Sequence, residues 1–221
     1  MATPKSQRIG IWIIAVVMLI GTVGSFAVMI LANKNSAVDQ QRINTLSQQY
    51  QKDYKAYQDK VNAQASQLSE KYFAEFNQYA NRPATFDKND ANKELKTEDL
   101  KVGDGDTLGK DATFTAYYIG WTPDGKVFDS SIDNGKLKAP ITAAPGGVIT
   151  GWTKGVEGMK VGGVRELTIP ASEGYGESGS GSSIPANTPL KFVIMVIPAP
   201  ENIPEPQMPK ELMDYYGTGA Q

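Results

Sequence analysis

The chain has 221 residues, 22 Lys and Arg against 24 Asp and Glu, a net charge of −2, and neither His nor Cys. That balance argues against nucleic acid, which selects a basic face. The missing imidazoles and thiols argue against a zinc site, remove any disulfide framework and exclude acylation on Cys.

From Ile9 to Asn33 there is no charged residue. A run of that length suffices for a helix to cross a hydrocarbon core of about 30 Å. A cleaved secretory signal has a shorter apolar stretch and a small-residue cleavage site, which Ile30-Leu31-Ala32-Asn33 does not supply well. Residues 9–33 are therefore expected to form an uncleaved transmembrane anchor, with a cleaved signal as the alternative. Lys5 and Arg8 precede the run, whereas Lys34 and Arg42 follow it with Asp39 between them. The positive-inside bias then leaves residues 1–8 in the cytoplasm and the rest of the chain outside it.

Between Ala37 and Ala80 there is no Gly or Pro, and a long amphipathic helix is predicted over 37–81. Its apolar stripe is Ile43, Leu46, Tyr50, Tyr54, Tyr57, Val61, Ala65, Leu68, Tyr72, Phe76 and Tyr79, at steps of 3, 4, 4, repeated. This 11-residue period corresponds to 3.67 residues per turn, not the seven-residue period of a left-handed coiled coil. The stripe has three readings: packing on the chain's own domain or tail, self-association with a second copy through residues 43–79, or a solvated spacer. Arg82-Pro83 ends the helix, because a residue before Pro is driven out of the α region.

Residues 82–93 read as a polar linker. Asp87, Asn89 and Glu98 match three positions of a calcium loop, but Asn92 stands at the obligatory Gly and Ala91 at a ligand position. At the other end, residues 199–221 form a Pro-rich tail with room for a short helix from Lys210 to Tyr216.

Residues 94–198 carry β-rich runs at Thr113–Ile119, Val164–Ile169 and Leu190–Ile197, the last apolar on both faces as in a strand covered on each side. Thr150 can cap a short helix running to about Met159. Within this region stand Tyr118-Ile-Gly-Trp121, Asp124-Gly-Lys-Val-Phe-Asp-Ser-Ser131, Val148-Ile-Thr-Gly-Trp152, Gly155-Val-Glu-Gly-Met159, Gly174-Tyr-Gly176 and Ile184-Pro-Ala-Asn-Thr-Pro-Leu-Lys-Phe192. This ordered series closely resembles the FKBP-type (FK506-binding) peptidyl-prolyl cis/trans isomerases.

The resemblance implies an α+β domain, a curved antiparallel sheet wrapped around one short helix, and catalysis of rotation about X–Pro bonds without cofactor or metal. It implies Trp152 as the pocket floor, Tyr118, Phe128, Ile184 and Phe192 as walls, and Val148 at the rim. The backbone N–H of Ile149 and the hydroxyl of Tyr175 would donate to substrate carbonyls. Asp129 would pair with Tyr118 and face the twisting amide; capping the Ser130-Ser131 turn is its alternative role. Plain core packing is the alternative for each aromatic. Ala139 or Ile141 stands where the family often has an aromatic, and the loop from Gly176 to Ser183 is small and polar, so the rim is thinned while the floor is kept. A long helix before such a domain also resembles, in layout, the macrophage-infectivity-potentiator type of surface isomerase. Expected partners are Pro-containing polypeptides of exported or surface proteins, and the membrane. A non-catalytic proline-binding module on the same fold is the second functional reading.

Overall fold

The structure is a computed structural model that describes residues 37–217. The predicted anchor over 9–33 lies outside the described residues; among those described, no helix is long and apolar enough to cross a membrane. In chain order the elements are α1 (Ala37–Phe76), a 3-10 turn (Asn77–Tyr79), α2 (Lys88–Ala91), β1 (Lys96–Lys101), β2 (Phe114–Trp121), β3 (Val127–Ser130), β4 (Ile132–Asp133), β5 (Lys136–Leu137), β6 (Ile141–Ala143), α3 (Thr150–Gly155), β7 (Val164–Ile169), a second 3-10 turn (Ala171–Glu173), β8 (Leu190–Ile197) and α4 (Lys210–Gly217). They fall into two compact units.

The first unit joins the start of α1, through Tyr57, to the tail from Glu205. The helix forms there because nothing in its sequence breaks it, and Tyr50, Tyr54 and Tyr57 line up at ring-centroid distances of 6.0 and 5.9 Å. Leu212 on α4 is buried, and Arg42 reaches Glu211 at 2.5 Å. The latter pair is exposed, so it adds little to stability. Burial, then the nearby Glu205 charge, raises the Tyr50 phenol above its ordinary value.

The second unit spans Gln58–Pro204, taking in the end of α1 together with the region predicted as the isomerase domain. Its main sheet has the order β1-β7-β8-β2-β3, with β6 also pairing β2, and every pairing is antiparallel. Strands β2 and β8 run in register from Thr115 opposite Ile197 to Trp121 opposite Lys191. Alternation of side chains then sorts the apolar residues onto two faces. One face presents Phe114, Ala116, Leu167, Ile169, Phe192, Ile194 and Val196 to α3. The other presents Tyr117, Ile119, Trp121, Val193, Met195 and Ile197 to Phe76, Leu68, Tyr72 and Phe73 of α1, to Tyr79 and to Phe86 of the linker. This is why Leu190–Ile197 reads apolar on both faces.

Glu166 accepts from Arg82 at 2.7 Å and from Lys191 at 2.8 Å, tying the chain after α1 to the sheet. Asp87 caps α2 by accepting from the Asp90 N–H, Asn92 accepts from the Ala171 N–H, and Glu98 lies 3.7 Å from Arg82. Asp87 and Glu98, two of the three residues that resembled calcium ligands, are thus occupied separately.

Candidate active site

Helix α3 sits close on β7 because two of its residues lack side chains. A Cβ at Gly151 would come within 2.3 Å of Ile169 Cγ2, and one at Gly155 within 2.7 Å of Leu167 Cδ1. That approach brings Trp152 down onto the sheet, where only 4% of it stays exposed. Its ring meets Tyr118 and Phe192 edge-on, each at a centroid distance of 5.2 Å. Phe128 meets Phe192 edge-on at 5.5 Å. Gly120 makes room for them, since a Cβ there would be 2.6 Å from both Phe128 and Phe192. Edge-to-face contacts at these distances are the favoured aromatic geometry. The result is a wall of four rings with Trp152 at its base.

Strand pairing sets the polar part. Gly120 of β2 lies opposite Asp129 of β3, so Tyr118 and Asp129 project from adjacent strands. The Tyr118 hydroxyl donates to one carboxylate oxygen of Asp129. The other oxygen accepts from the Ser130 N–H at 2.8 Å. One oxygen of Asp129 thus meets Tyr118 and the other lies at the Ser130-Ser131 turn. Burial, then the Asp129 hydrogen bond, pushes the Tyr118 phenol well up. Burial and then the Asp129 charge raise Tyr175 as well, so these three groups share one electrostatic environment.

Val148 and Ile149 are half-buried and pack against the same core as Trp152. Ile149 is the extended residue that starts α3, and its carbonyl accepts from the Trp152 N–H at 3.0 Å. Backbone N–H groups at a helix start have no intrahelical acceptor, which leaves that end able to donate outward. Ile184 is buried in the same cluster, whereas Tyr175 is 38% exposed. The loop after Tyr175 is ordered by its own backbone: the Gly179 N–H donates to Tyr175 O and the Asn187 N–H to Gly176 O. A separate cavity of about 100 Å³, lined by Asp99, Lys101, Val102, Met159 and Lys160 among others, holds none of these residues.

A family profile described as FKBP-type peptidyl-prolyl cis-trans isomerase matches residues 105–197. The chain is 43% identical over 103 residues to an FK506-binding protein of Neisseria meningitidis serogroup B, covering 94% of that protein and 47% of this chain. The chain belongs to the FKBP-type peptidyl-prolyl cis-trans isomerase family. It is also 42% identical over 96 residues to a probable FKBP-type peptidyl-prolyl cis-trans isomerase of Haemophilus influenzae, covering 43% of this chain and 39% of that protein. A solved peptidyl-prolyl cis-trans isomerase from Pseudomonas syringae pv. tomato is similar at 27% identity and a TM-score of 0.43, over 62% of this chain and 94% of that one.

In this isomerase Tyr118, Phe128, Trp152, Ile184 and Phe192 are brought together in one core with Val148 and Ile149 at its margin. Two neighbours escaped sequence reasoning. Phe114 lies 6.3 Å from Trp152, ring to ring; its place four residues before Tyr118 on one strand face was the available signal. Ser131 accepts from the Tyr118 N–H at 2.9 Å through its hydroxyl, and its own N–H donates to Tyr118 O at 2.8 Å. The second Ser after Asp129 was visible in the sequence, but not its partner.

Proposed function

We propose that this isomerase acts on X–Pro bonds of exported or surface polypeptides while anchored to a membrane by residues 9–33. The observation that carries the catalytic assignment is the Tyr118–Asp129 pair beside the ring wall of Trp152, Phe192 and Phe128. The reaction forms and breaks no covalent bond. It twists one amide across a barrier of about 18–20 kcal/mol. Twisting breaks amide resonance and makes the amide less dipolar, so an apolar wall favours the twisted form over the planar one. Every 1.4 kcal/mol or so of that preference is a tenfold rate gain.

In this reading Trp152 receives the proline ring, and Tyr118, Phe128, Ile184 and Phe192 enclose it with Val148 at the rim. The Ile149 N–H and the Tyr175 hydroxyl hold the flanking carbonyls, and Asp129, oriented by Tyr118, faces the rotating bond. Exchange spectroscopy on a short Pro peptide with the full chain tests the assignment. Acceleration that disappears in Asp129→Asn and Trp152→Leu is expected; a wild-type chain that binds the peptide without accelerating its exchange would replace the enzyme site by a binding module.

The anchor is supported by the uncharged run from Ile9 to Asn33 and by the cations before it. Full-length protein should stay with carbonate-washed membranes, and its release into the soluble fraction would remove the anchor. The use of Leu68, Tyr72, Phe76 and Tyr79 within the second core supports intramolecular packing for that part of the stripe rather than pairing with a second copy.

A further inference from the structure

Helix α1 carries one polar residue that the sheet core does not explain. Ser69 is only 6% exposed, and its hydroxyl oxygen accepts from the Leu137 N–H at 2.8 Å. A buried hydroxyl is costly without such a partner, and the partner here belongs to the β4–β5 hairpin that directly follows the strand bearing Asp129. From Leu137 the connection continues without a gap. The Lys138 N–H donates to Ser131 O at 2.8 Å, and Ser131 exchanges two hydrogen bonds with the backbone of Tyr118. Lys138 also places its ammonium 2.7 Å from Ser130 O and 3.8 Å from Asp129 Oδ1. Leu137 is buried in the cluster against which both Leu68 and Ile132 pack.

We propose that Ser69 is a positioning residue of the isomerase, holding the β4–β5 hairpin so that Ser131 and Lys138 set the Tyr118–Asp129 pair. A residue outside the family-matched region, on a helix that precedes the domain, thereby tunes the site. The proposal rests on the reading of Tyr118 and Asp129 as site residues. The Lys138 ammonium near Asp129 and the Ser131 bonds to Tyr118 both depend on where the hairpin lies, so releasing Leu137 displaces them together. Misplacement of a group that acts on the transition state lowers turnover more than ground-state binding.

The full chain is compared in one isomerisation assay as wild type, Ser69→Ala, Ser69→Thr, Asp129→Asn and the Ser69→Ala, Asp129→Asn double variant. Ser69→Ala should lower kcat about tenfold and leave KM within about twofold. Ser69→Thr keeps the acceptor oxygen and should retain wild-type kcat. In the Asp129→Asn background Ser69→Ala should add nothing, because coupled residues are not additive. A folded Ser69→Ala with wild-type kcat, beside an impaired Asp129→Asn, overturns the proposal alone. So does an equal loss in both backgrounds, since general loosening does not depend on Asp129. An unimpaired Asp129→Asn overturns the reading of the pair and the proposal with it. If Ser69→Ala does not fold, Ser131→Ala cuts the same route at its strand end and carries the same comparison.

Discussion

Phe76, the last residue of α1, lies with its ring centroid 6.1 Å from that of Tyr117 in the middle of the sheet, and neither residue is exposed. The face of the sheet opposite α3 is therefore a second core, closed by the helix that precedes the family-matched region. Truncating Phe76 to Ala should cost about 3–5 kcal/mol, the range for a large aromatic lost from a packed core. Equilibrium unfolding in denaturant measures it. By the same argument residues 92–198 alone, which leave Tyr117, Ile119, Trp121 and Met195 uncovered, should unfold well before residues 58–204. Equal midpoints for the two fragments would show that the helix contributes nothing to the domain.

Tyr117 offers a sharper test of the same core. Its hydroxyl is buried and has no hydrogen-bond partner among the described residues, and desolvation, then Tyr72, pushes its phenol up to about 12. An unpaired buried hydroxyl costs about 1–3 kcal/mol. Tyr117→Phe removes the hydroxyl and keeps the ring, so it should raise the thermal midpoint by a few degrees. A lowered midpoint would mean that the hydroxyl is paired in solution.

Strands β2, β7 and β8 were legible as β-rich runs, and the family resemblance supplied the sheet around them. The short helix was legible too, but it starts from Ile149 without a Thr150 side-chain cap and ends at Gly155, short of Met159. The helix over 37–81 was legible from the absence of Gly and Pro; it ends at Phe76, with a 3-10 turn before Arg82-Pro83. The stripe identified which side of α1 is covered. It could not say by what, since a helix spacing specifies a face and not its partner. Ser69 lay beyond sequence reasoning for a related reason. It sits beside Leu68 at the stripe's margin, where a Ser ordinarily faces water, and only the tertiary placement of Leu137 supplies its bond. The aromatic wall was legible residue by residue, while the role of Gly120 in admitting Phe128 and Phe192 depends on the tertiary fold.

The rate should be insensitive to pH near neutrality. The chain has no His and no Cys, and burial raises both Tyr118 and Tyr175 above the ordinary phenol value. A raised phenol favours the neutral form in the fold. Its contribution is fully present below the unfolded value of about 10 and is lost as pH rises through the folded one. Both hydroxyls thus stay protonated donors, and kcat/KM should be flat from about pH 6 to 9. A bell-shaped profile centred near pH 7 would overturn that expectation.

The last prediction separates the donor at the pocket edge from the floor. Tyr175 is among the few exposed large hydrophobic residues of those described, so removing its hydroxyl disturbs little packing. Tyr175→Phe should leave the thermal midpoint within about a degree, because surface changes stay within about 0.5 kcal/mol. If the hydroxyl holds a substrate carbonyl in the twisted state, its loss of about 1–1.5 kcal/mol lowers kcat/KM roughly tenfold. Trp152 is the opposite case: buried, and in contact with Tyr118, Phe192 and Phe114 at once. Trp152→Leu should weaken peptide binding as well as turnover, and should lower stability by about 2–4 kcal/mol through the cavity it leaves. Peptide titration, turnover and denaturant unfolding on the same preparations resolve the three quantities. A Tyr175→Phe variant with full activity would remove that hydroxyl from the site, and a Trp152→Leu variant with unchanged peptide affinity would move the proline ring off the floor.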